Sequence, residues 1–319
     1  MPARRRALDL LAVGQNSLDR VCRVDGLPGL ASKAVIREYA ERPGGQVATA
    51  ALAGARLGLR TAYAGAVGDD DAAGKVLDPL RRAGIDVSGV KRVAGARTQL
   101  AVVLVDRGSG ERTVLWHREP GLQLRPADLS RAAIESARAL HLDAGDPEAA
   151  AWAAGVARAA GVAVFLDADT PGPGVLALLR QVDFPIVSRE FAESFCEGRS
   201  LPATLAELAD RMLVVTLGAH GAIAHSGDGV IESPGFRVEA VDTTGAGDAF
   251  HGAFIWAALE GWGAEAALRA ANAAAAMSCR AEGAQGGLPT RAELEAFLKE
   301  NEPEPWREIE PATGCGPGE

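Results

Sequence analysis

The run from Asp242 to Asp248 reads D-T-T-G-A-G-D and places two acidic side chains around a turn with almost no side-chain bulk. In that turn, Gly245, Ala246 and Gly247 allow several backbone N–H groups to point at one spot. The apolar spacing over 249–259 predicts a helix. A helix that opens on such a turn presents unpaired N–H donors and the positive end of its dipole, which suit a phosphate. The sequence therefore predicts an anion-binding turn here.

Asp248 lies in the first turn of the predicted helix, and two roles fit that position. Its carboxylate can cap the helix N-terminus. It can also act as a general base beside the bound phosphate and take the proton of a hydroxyl that is about to be phosphorylated. Spacing alone does not separate these roles, so both stay open at this point.

Alternating helix and strand patterns indicate the elements that must position these groups. A first strand is predicted over 8–13, and from 129 onward helices alternate with short buried strands; one such helix is predicted over 203–209. This rhythm is typical of a parallel, doubly wound α/β sheet with right-handed crossovers. Ligands of such sheets bind at the carboxyl ends of the strands. We therefore expect the anion-binding turn to lie at that edge.

Two pairs of shorter strands are predicted to lie outside the main sheet. The first pair covers 20–24 and 34–41, and the second covers 100–106 and 112–117 and resembles a β-hairpin. No linker divides the chain, so a single domain over 1–319 is expected. Its Pro- and Gly-rich tail, 301–319, is predicted to be poorly ordered.

Composition and charge limit the class of protein. The chain has 319 residues, of which 48% are hydrophobic and 24% are charged, as in ordinary globular enzymes. Its net charge of −9 argues against nucleic-acid and anionic-membrane partners, because these need excess Lys and Arg. Four cysteines without C-x-x-C spacing favour a reducing, cytoplasmic setting over disulfides or a zinc site. No apolar stretch is long enough to span a bilayer.

Three consecutive carboxylates, Asp69 to Asp71, suggest a metal site at first sight. They directly precede a helical pattern, and acidic residues at a helix N-terminus offset its dipole. We therefore predict that these carboxylates form a helix N-terminus and not a metal site.

Two longer strings resemble the signatures of one family. D-T-T-G-A-G-D-x-F-x-G-A over 242–253 is similar to the C-terminal signature of the ribokinase-like (PfkB) carbohydrate kinases, and 44–58 is similar to their N-terminal signature. The resemblance covers about 8–298. It implies a ribokinase-like three-layer α/β/α fold with a mostly parallel central sheet and a small β-sheet lid. The implied core is about 7–14, 46–97 and 121–300, and the implied lid is about 15–45 and 98–120.

The resemblance also implies roles for individual residues. It makes Asp248 the catalytic base and makes the backbone of Gly245, Ala246 and Gly247 an anion hole. Asp19, which also fits a solvated turn, is implied to bind sugar hydroxyls. Thr49 stands where the family commonly has Asn, so the identity of the sugar stays open. The implied substrate-binding set is Asp19, Ser17, Gly44, Gly45 and Thr49.

ATP and metal ions are further implications of the resemblance. Each of two ATP-binding segments also has a structural alternative: an ordinary strand with a glycine turn over 214–222, and tight packing of an Ala-rich helix over 264–280. ATP contact is favoured in both. Asp242 and Thr244 are implied to help bind a monovalent cation, K⁺. Mg²⁺ is ordered in the family by N-x-x-E, which Ser188 and Phe191 replace here. Glu190 or Glu193 could take over its water shell, or ATP phosphates and water could hold the ion, so the role of this loop stays open. The implied ATP-binding residues are Thr216, Gly218, Gly221, Asn272, Ala275 and Gly283.

The implied activity is that of an ATP-dependent sugar kinase. It would transfer the γ-phosphoryl group to a hydroxymethyl group of a carbohydrate, as ribokinases and fructokinases do, and a lid-mediated homodimer is common among relatives. A sulfofructose-type kinase and a nucleoside kinase are alternatives, although an aromatic content of 5% disfavours base stacking. A non-catalytic sugar- or nucleotide-binding protein is the rival from another class. A dinucleotide-dependent oxidoreductase is disfavoured, because no strand leads into G-x-G-x-x-G.

Overall fold

A computed structural model describes residues 6–108, 112–172, 174–194, 212–226 and 229–305. The helix predicted over 203–209 and the part of the tail beyond 305 lie outside the described residues. The described strands are β1 (Leu8–Val13), β2 (Ser17–Val24), β3 (Ile36–Gly44), β4 (Thr61–Ala64), β5 (Ala66–Gly68), β6 (Lys91–Val93), β7 (Leu100–Asp106), β8 (Arg112–His117), β9 (Ala137–Asp143), β10 (Ala163–Ala168), β11 (Phe184–Ser188), β12 (Leu213–Thr216), β13 (Gly221–Ser226) and β14 (Gly229–Pro234).

The described α-helices are α1 (Gln46–Arg56), α2 (Asp71–Arg82), α3 (Arg131–Ser136), α4 (Pro147–Ala159), α5 (Val175–Leu179), α6 (Arg189–Glu193), α7 (Ala246–Leu259), α8 (Ala264–Ser278) and α9 (Arg291–Glu300). Short 3₁₀ turns occur at Pro120–Leu122, Pro126–Asp128 and Gly218–His220. None of these helices is long and apolar enough to cross a membrane.

The central sheet has eight strands in the order β14-β13-β12-β11-β10-β9-β1-β4. The six strands from β12 to β4 run parallel, and β13 and β14 add an antiparallel hairpin at one edge. The predicted mostly parallel sheet is confirmed. Its carboxyl-terminal edge therefore gathers the ends of strands that are far apart in sequence.

Side chains that alternate along the strands enter two separate cores. Leu11 and Leu166 pack in a core with α4 and α6, whereas Leu10 and Phe165 pack in a core that contains Phe254 of α7. Because successive residues of a strand point to opposite faces, both faces of this sheet are covered by helices. The three-layer α/β/α prediction is confirmed.

Close contact between α1 and α7 brings two sequence signatures together. A Cβ atom at Gly252 would lie 2.5 Å from Ala53 Cβ and 2.7 Å from the Ala50 carbonyl oxygen. Only a residue without a side chain permits that approach. The middle of α7 is consequently packed directly against α1.

The lid is a four-stranded sheet in the order β3-β2-β7-β8. Both predicted hairpin-like pairs are confirmed, since β2–β3 and β7–β8 are antiparallel. They are joined by a parallel β2–β7 pairing, which the local patterns did not predict. Pairing register places Asp19, Ala101 and Trp116 in one row. The Arg112 side chain on the same face contacts Thr243, so this inner face lies over the anion-binding turn.

Two runs of the chain are divided between elements. Residues 61–68 form β4 and β5, which are separated at Gly65. Helix α3 ends at Ser136, because β9 begins at Ala137 and pairs with β1. At α2, Asp70 caps the helix by accepting a hydrogen bond from the Ala73 N–H, which confirms the helix N-terminus.

Candidate active site

The turn before α7 has the geometry of an anion site. Gly245 adopts a left-handed φ of +78°, and a Cβ there would lie 2.6 Å from Ala284 Cα. The Ala246 N–H donates to the Thr243 carbonyl oxygen at 3.3 Å. The next two amides, of Gly247 and Asp248, belong to the first helical turn and have no acceptor within the helix. These two donors and the helix dipole are oriented toward the same space.

Asp248 is half-buried in the first turn of α7, and no donor among the described residues hydrogen-bonds its carboxylate. A capping role is therefore not observed. Burial raises the pKa of Asp248 well above its usual range, and the negative charges of Asp167, Asp19 and Asp169 raise it further, while Arg112 opposes them. A carboxyl group with this raised pKa is a better proton acceptor than an ordinary aspartate.

Asp19 is buried on the inner face of the lid sheet and is enclosed by its own neighbours. The Ser17 hydroxyl donates to Asp19 Oδ1. A Cβ at Gly44 would lie 2.1 Å from Asp19 Oδ2, and one at Gly45 would lie 2.3 Å from Asn16 Cα. Burial and the charge of Asp242 raise the pKa of Asp19, while the Ser17 bond lowers it. The structure thus brings four of the five predicted substrate residues into one cluster.

Thr49, the fifth predicted substrate residue, is placed differently. It is completely buried in α1, and its hydroxyl accepts a hydrogen bond from Gln285 Nε2 at 3.4 Å. Gln285 Oε1 is buried without a partner among the described residues. Thr49 thus contacts Gln285, a residue 236 positions away that sequence spacing did not indicate, and its contact with substrate stays a prediction.

A second polar cluster lies at the carboxyl ends of β1 and β9. Asn16 Nδ2 donates to the Tyr63 hydroxyl at 2.9 Å and to the Ala66 carbonyl oxygen at 3.0 Å. Asp143 accepts hydrogen bonds from the N–H groups of Gln15 at 2.7 Å and Gly145 at 2.9 Å. Burial raises the pKa of Asp143 to about 6. The position of Asp143 at a strand end was the available sequence signal, whereas nothing local marked Tyr63.

A cavity of about 380 Å³ opens beside the anion-binding turn. Its wall includes Ala246 and Gly247, so the cavity and the N–H donors of α7 share one space. Asn272 is held there by donating to the carbonyl oxygen of Ser233 at 2.8 Å. Five of the six predicted nucleotide residues line this cavity: Thr216, Gly218, Gly221, Asn272 and Ala275.

Gly283 is the exception, because it lines a separate cavity of about 150 Å³ beside Arg42. Its N–H donates to Asp242 Oδ2 at 2.9 Å, and its φ of +76° turns the chain toward the lid. The start of the predicted tail instead borders the nucleotide cavity. There Glu304 is part of the wall, and its N–H donates to the Gly235 carbonyl oxygen at 2.8 Å.

The predicted monovalent-cation residues lie where two loops meet. Asp242 Oδ1 accepts from the Thr244 N–H and Oδ2 accepts from the Gly283 N–H, each at 2.9 Å. Burial alone would raise the pKa of Asp242, but these two N–H groups lower it below its usual value. A carboxylate has about four lone-pair positions, so oxygen sites remain for a cation. A K⁺ ion at this position stays a prediction.

Glu190, the predicted magnesium residue, is exposed on α6, and its role in a magnesium water shell stays a prediction. Ser188 caps this helix by accepting from the Phe191 N–H at 3.1 Å, and the Phe191 side chain is buried in the core. The two residues that replace the Asn and Glu of N-x-x-E thus have structural roles here: Ser188 caps α6 and Phe191 packs in the core. Among the described residues, no cluster of three or more His, Cys, Asp or Glu side chains is arranged to hold a metal ion.

Two polar contacts join the lid and α1 to the carboxyl-terminal edge of the central sheet, called here the catalytic edge. Arg112 of β8 donates to the Thr243 hydroxyl across 131 residues of sequence. Gln46 Nε2 at the start of α1 donates to Asp169 Oδ2 at 3.0 Å. Arg112 was not predicted from the sequence, because a basic residue on an edge strand is usually a solvated residue that protects the edge.

The fold and the site together define a class of protein. A carboxylate stands at a helix N-terminus with unpaired N–H donors, a cavity of about 380 Å³ adjoins it on one side, and a lid bearing Asp19 covers the other. These are the parts that a small-molecule kinase needs to bring an alcohol and a phosphoryl group together.

The chain belongs to the pfkB family of carbohydrate kinases, which it matches over residues 7–291. It is 35% identical to the ATP-dependent ribose-1-phosphate kinase of Halopiger xanaduensis, covering 91% of this chain and 98% of that protein. It is 31% identical to the nucleoside kinase of Methanothermobacter thermautotrophicus, covering 89% and 94%. The crystal structure of ribokinase from Thermotoga maritima matches with a TM-score of 0.80 and 27% identity, covering 92% and 100%. The family resemblance and the kinase class are confirmed.

Proposed function

We propose that this protein transfers the γ-phosphoryl group of ATP to a hydroxymethyl group of a carbohydrate. The supporting observation is the position of Asp248 between two spaces. One is the nucleotide cavity that Gly247 lines, and the other is the space under the lid where the charge of Asp19 acts on Asp248. An alcohol and a terminal phosphate can therefore meet at one carboxylate.

The chemistry follows from the residues around this carboxylate. Asp248 takes the hydroxyl proton as the substrate oxygen bonds to the γ-phosphorus, and the bond from that phosphorus to the β,γ-bridging oxygen breaks to release ADP. The N–H groups of Gly247 and Asp248 stabilise the charge on the transferring group. Asp19 accepts hydrogen bonds from the substrate hydroxyls, and the lid excludes water. Mg²⁺ carried with ATP would supply further neutralisation of phosphate charge.

Replacing Asp248 with Asn tests this assignment directly. The amide keeps the shape of the side chain but cannot accept the proton. We expect turnover to fall by about 10² to 10⁴ while the affinity for ATP changes little. Steady-state ADP release and ATP binding measured by calorimetry check the two halves of this expectation. Near-normal turnover would exclude Asp248 as the base.

A nucleoside acceptor is a second candidate, favoured by one observation. Trp116 on β8 is 68% exposed and stands in the same cross-strand row as Asp19 on the inner face of the lid. Two strand spacings separate them by about 10 Å. That distance fits a ribose hydroxyl at Asp19 and a base against the indole ring.

A panel of acceptors separates the candidates. Ribose, fructose, ribose 1-phosphate and several nucleosides, each assayed for ADP release with the wild-type protein and with Asp248→Asn, identify the acceptor class. Binding of sugars or ATP with no turnover across the panel would instead support the non-catalytic alternative.

We also propose the finer properties of the assembly and its setting. Potassium binds at Asp242 and beside Thr244, where removal of K⁺ would weaken the anion-binding turn.

The lid forms a homodimer through its outer face, defined here as Tyr39, Val102, Leu104 and Leu115. A reducing, cytoplasmic setting agrees with the free thiols of Cys22 and Cys279.

A further inference from the structure

Behind Asp248 lies a buried pair of ionisable residues that the proposed reaction does not use. His251 of α7 is 3% exposed, and its Nε2 lies 3.3 Å from Oδ1 of Asp167, which is also buried. Asp167 follows the apolar part of β10, whereas His251 stands one helical turn after Asp248. Residues three apart on a helix share one face. Asp167 is therefore held on the side of α7 that carries the proposed base.

A buried carboxylate is costly to keep ionised unless a partner satisfies it. Burial alone would raise the pKa of Asp167, but the charge interaction and the hydrogen bond with His251 outweigh burial and lower it. Asp167 is accordingly ionised at neutral pH. His251 supplies the donor that makes this possible.

Next to this pair, His141 of β9 packs its ring 5.2 Å from the His251 ring. It is completely buried, and burial together with the neighbouring His251 lowers its pKa to about 3. His141 is therefore neutral under assay conditions. It gives the pair a packing partner without adding a charge, which makes it a natural control.

The charge of Asp167 acts on Asp248. Among the groups that act on Asp248 after its burial, Asp167 is the largest, ahead of Asp19 on β2 and Asp169 after β10, and Arg112 on β8 opposes them. Asp143 on β9 also feels the charge of Asp167. A second negative charge beside a carboxylate favours its protonated form. This makes the carboxylate a stronger proton acceptor.

We propose that His251 holds Asp167 in its charged form behind α7, and that this negative charge makes Asp248 a stronger general base for the substrate hydroxyl. Both residues are positioning residues, since in the proposed reaction neither contacts the substrate or the phosphoryl group. This inference rests on the proposed role of Asp248. It assigns a function to a histidine that packing alone would not require to be ionisable.

The test is the pH dependence of kcat/KM for the acceptor at saturating ATP. In Asp167→Asn the negative charge is lost and the pKa of Asp248 falls. The acidic limb of the pH profile of kcat/KM should therefore move to lower pH by about 1 unit. The plateau should fall about three- to tenfold because the base is weaker. His251→Phe should move the limb in the same direction, because Asp167 without its donor takes up a proton.

The double variant and a control complete the design. Asp167→Asn combined with His251→Phe should shift the limb no further than either change alone, because the pair acts as one unit. His141→Phe, which alters packing beside His251 without touching the pair's hydrogen bond, should leave the limb in place. Asp167→Asn preserves side-chain shape and keeps the test valid if His251→Phe folds poorly.

The outcomes separate this inference from the proposed function. An unmoved acidic limb in Asp167→Asn, together with an inactive Asp248→Asn, would overturn the role of the pair alone. An equal shift in His141→Phe would also overturn it, since packing would then explain the effect. Full activity of Asp248→Asn would overturn both proposals.

Discussion

At the residue scale, the substrate side of the site depends on the absence of a side chain at one position. Gly44 ends β3 directly opposite Ser17, and its Cα leaves just enough room for the Asp19 carboxylate. A methyl group there would lie 2.1 Å from Asp19 Oδ2, well inside contact distance. The glycine in the family signature is thus explained by close approach, because φ at Gly44 is not in the left-handed region.

Gly44→Ala should therefore displace the carboxylate of Asp19. We expect kcat/KM for the acceptor to fall by about 10²-fold, because displacements of about 1 Å in a positioning group have effects of this size. KM for ATP should change little, since the nucleotide cavity does not include Gly44. Steady-state kinetics with each substrate varied in turn measure both quantities.

Gly74 provides the matched control for that substitution. It lies in α2, where an added Cβ meets nothing within 4 Å. Gly74→Ala should leave the kinetics unchanged and raise the free energy of unfolding by about 0.5–1 kcal/mol, because alanine is the better helix former. Equal losses of activity in both variants would contradict the close-contact explanation.

At the scale of elements, the lid sheet separates two tasks on its two faces. Its inner face carries Asp19 and Trp116 toward the catalytic edge, and Arg112 ties that face to Thr243. Its outer face carries apolar side chains such as Leu115. Adjacent residues of β8 therefore lie on different faces, since a strand alternates its side chains between faces. Substituting one tests the inner face and substituting the next tests the outer face.

Trp116→Ala tests the inner face. If the acceptor is a nucleoside whose base stacks on the indole, KM for that acceptor should rise about tenfold, in line with the loss of one stacking contact. The KM for ribose should stay the same, because ribose ends before it reaches Trp116. Leu115→Ala, one residue away on the opposite face, should leave both values unchanged. A loss of ribose affinity in Trp116→Ala would place the sugar itself against the ring.

At the scale of the whole molecule, apolar exposure is concentrated in the lid. Of the eleven exposed large apolar side chains in the described ranges, eight belong to the lid: Leu27, Leu30, Val35, Ile36, Tyr39, Val114, Leu115 and Trp116. Clustered apolar exposure of this kind marks interaction surfaces. Two of the eight, Tyr39 and Leu115, belong to the outer face defined above, which a second copy of the chain would cover.

Tyr39→Asp should therefore convert the proposed dimer to a monomer. The wild-type protein is expected to have twice the chain mass of 32.9 kDa by light scattering at micromolar concentration. The Tyr39 variant should have the single-chain mass, because a buried unpaired carboxylate opposes association. Val230→Asp, at an exposed apolar position on β14, is the control and should remain dimeric. A monomeric wild-type protein would rule out the outer face as a stable interface.

The sequence by itself determined the local parts of this protein. The string from Asp242 to Asp248 specified a small-residue turn and a helix, and alternating patterns specified the sheet and both lid pairs. Such features depend on neighbouring residues in the chain, so spacing alone predicts them. The predicted anion-binding turn and five of the predicted nucleotide residues were accordingly found around one space.

The tertiary structure alone decided which distant side chains share the site. Parallel β2–β7 pairing places Trp116 in the same row as Asp19. Gln285 donates a hydrogen bond to Thr49, and the Gly283 N–H donates to Asp242. The Asp167–His251 pair was equally invisible in sequence. The physical reason is that a parallel sheet brings strand ends together whatever their separation along the chain. Electrostatic effects on Asp248 depend on those distances in space.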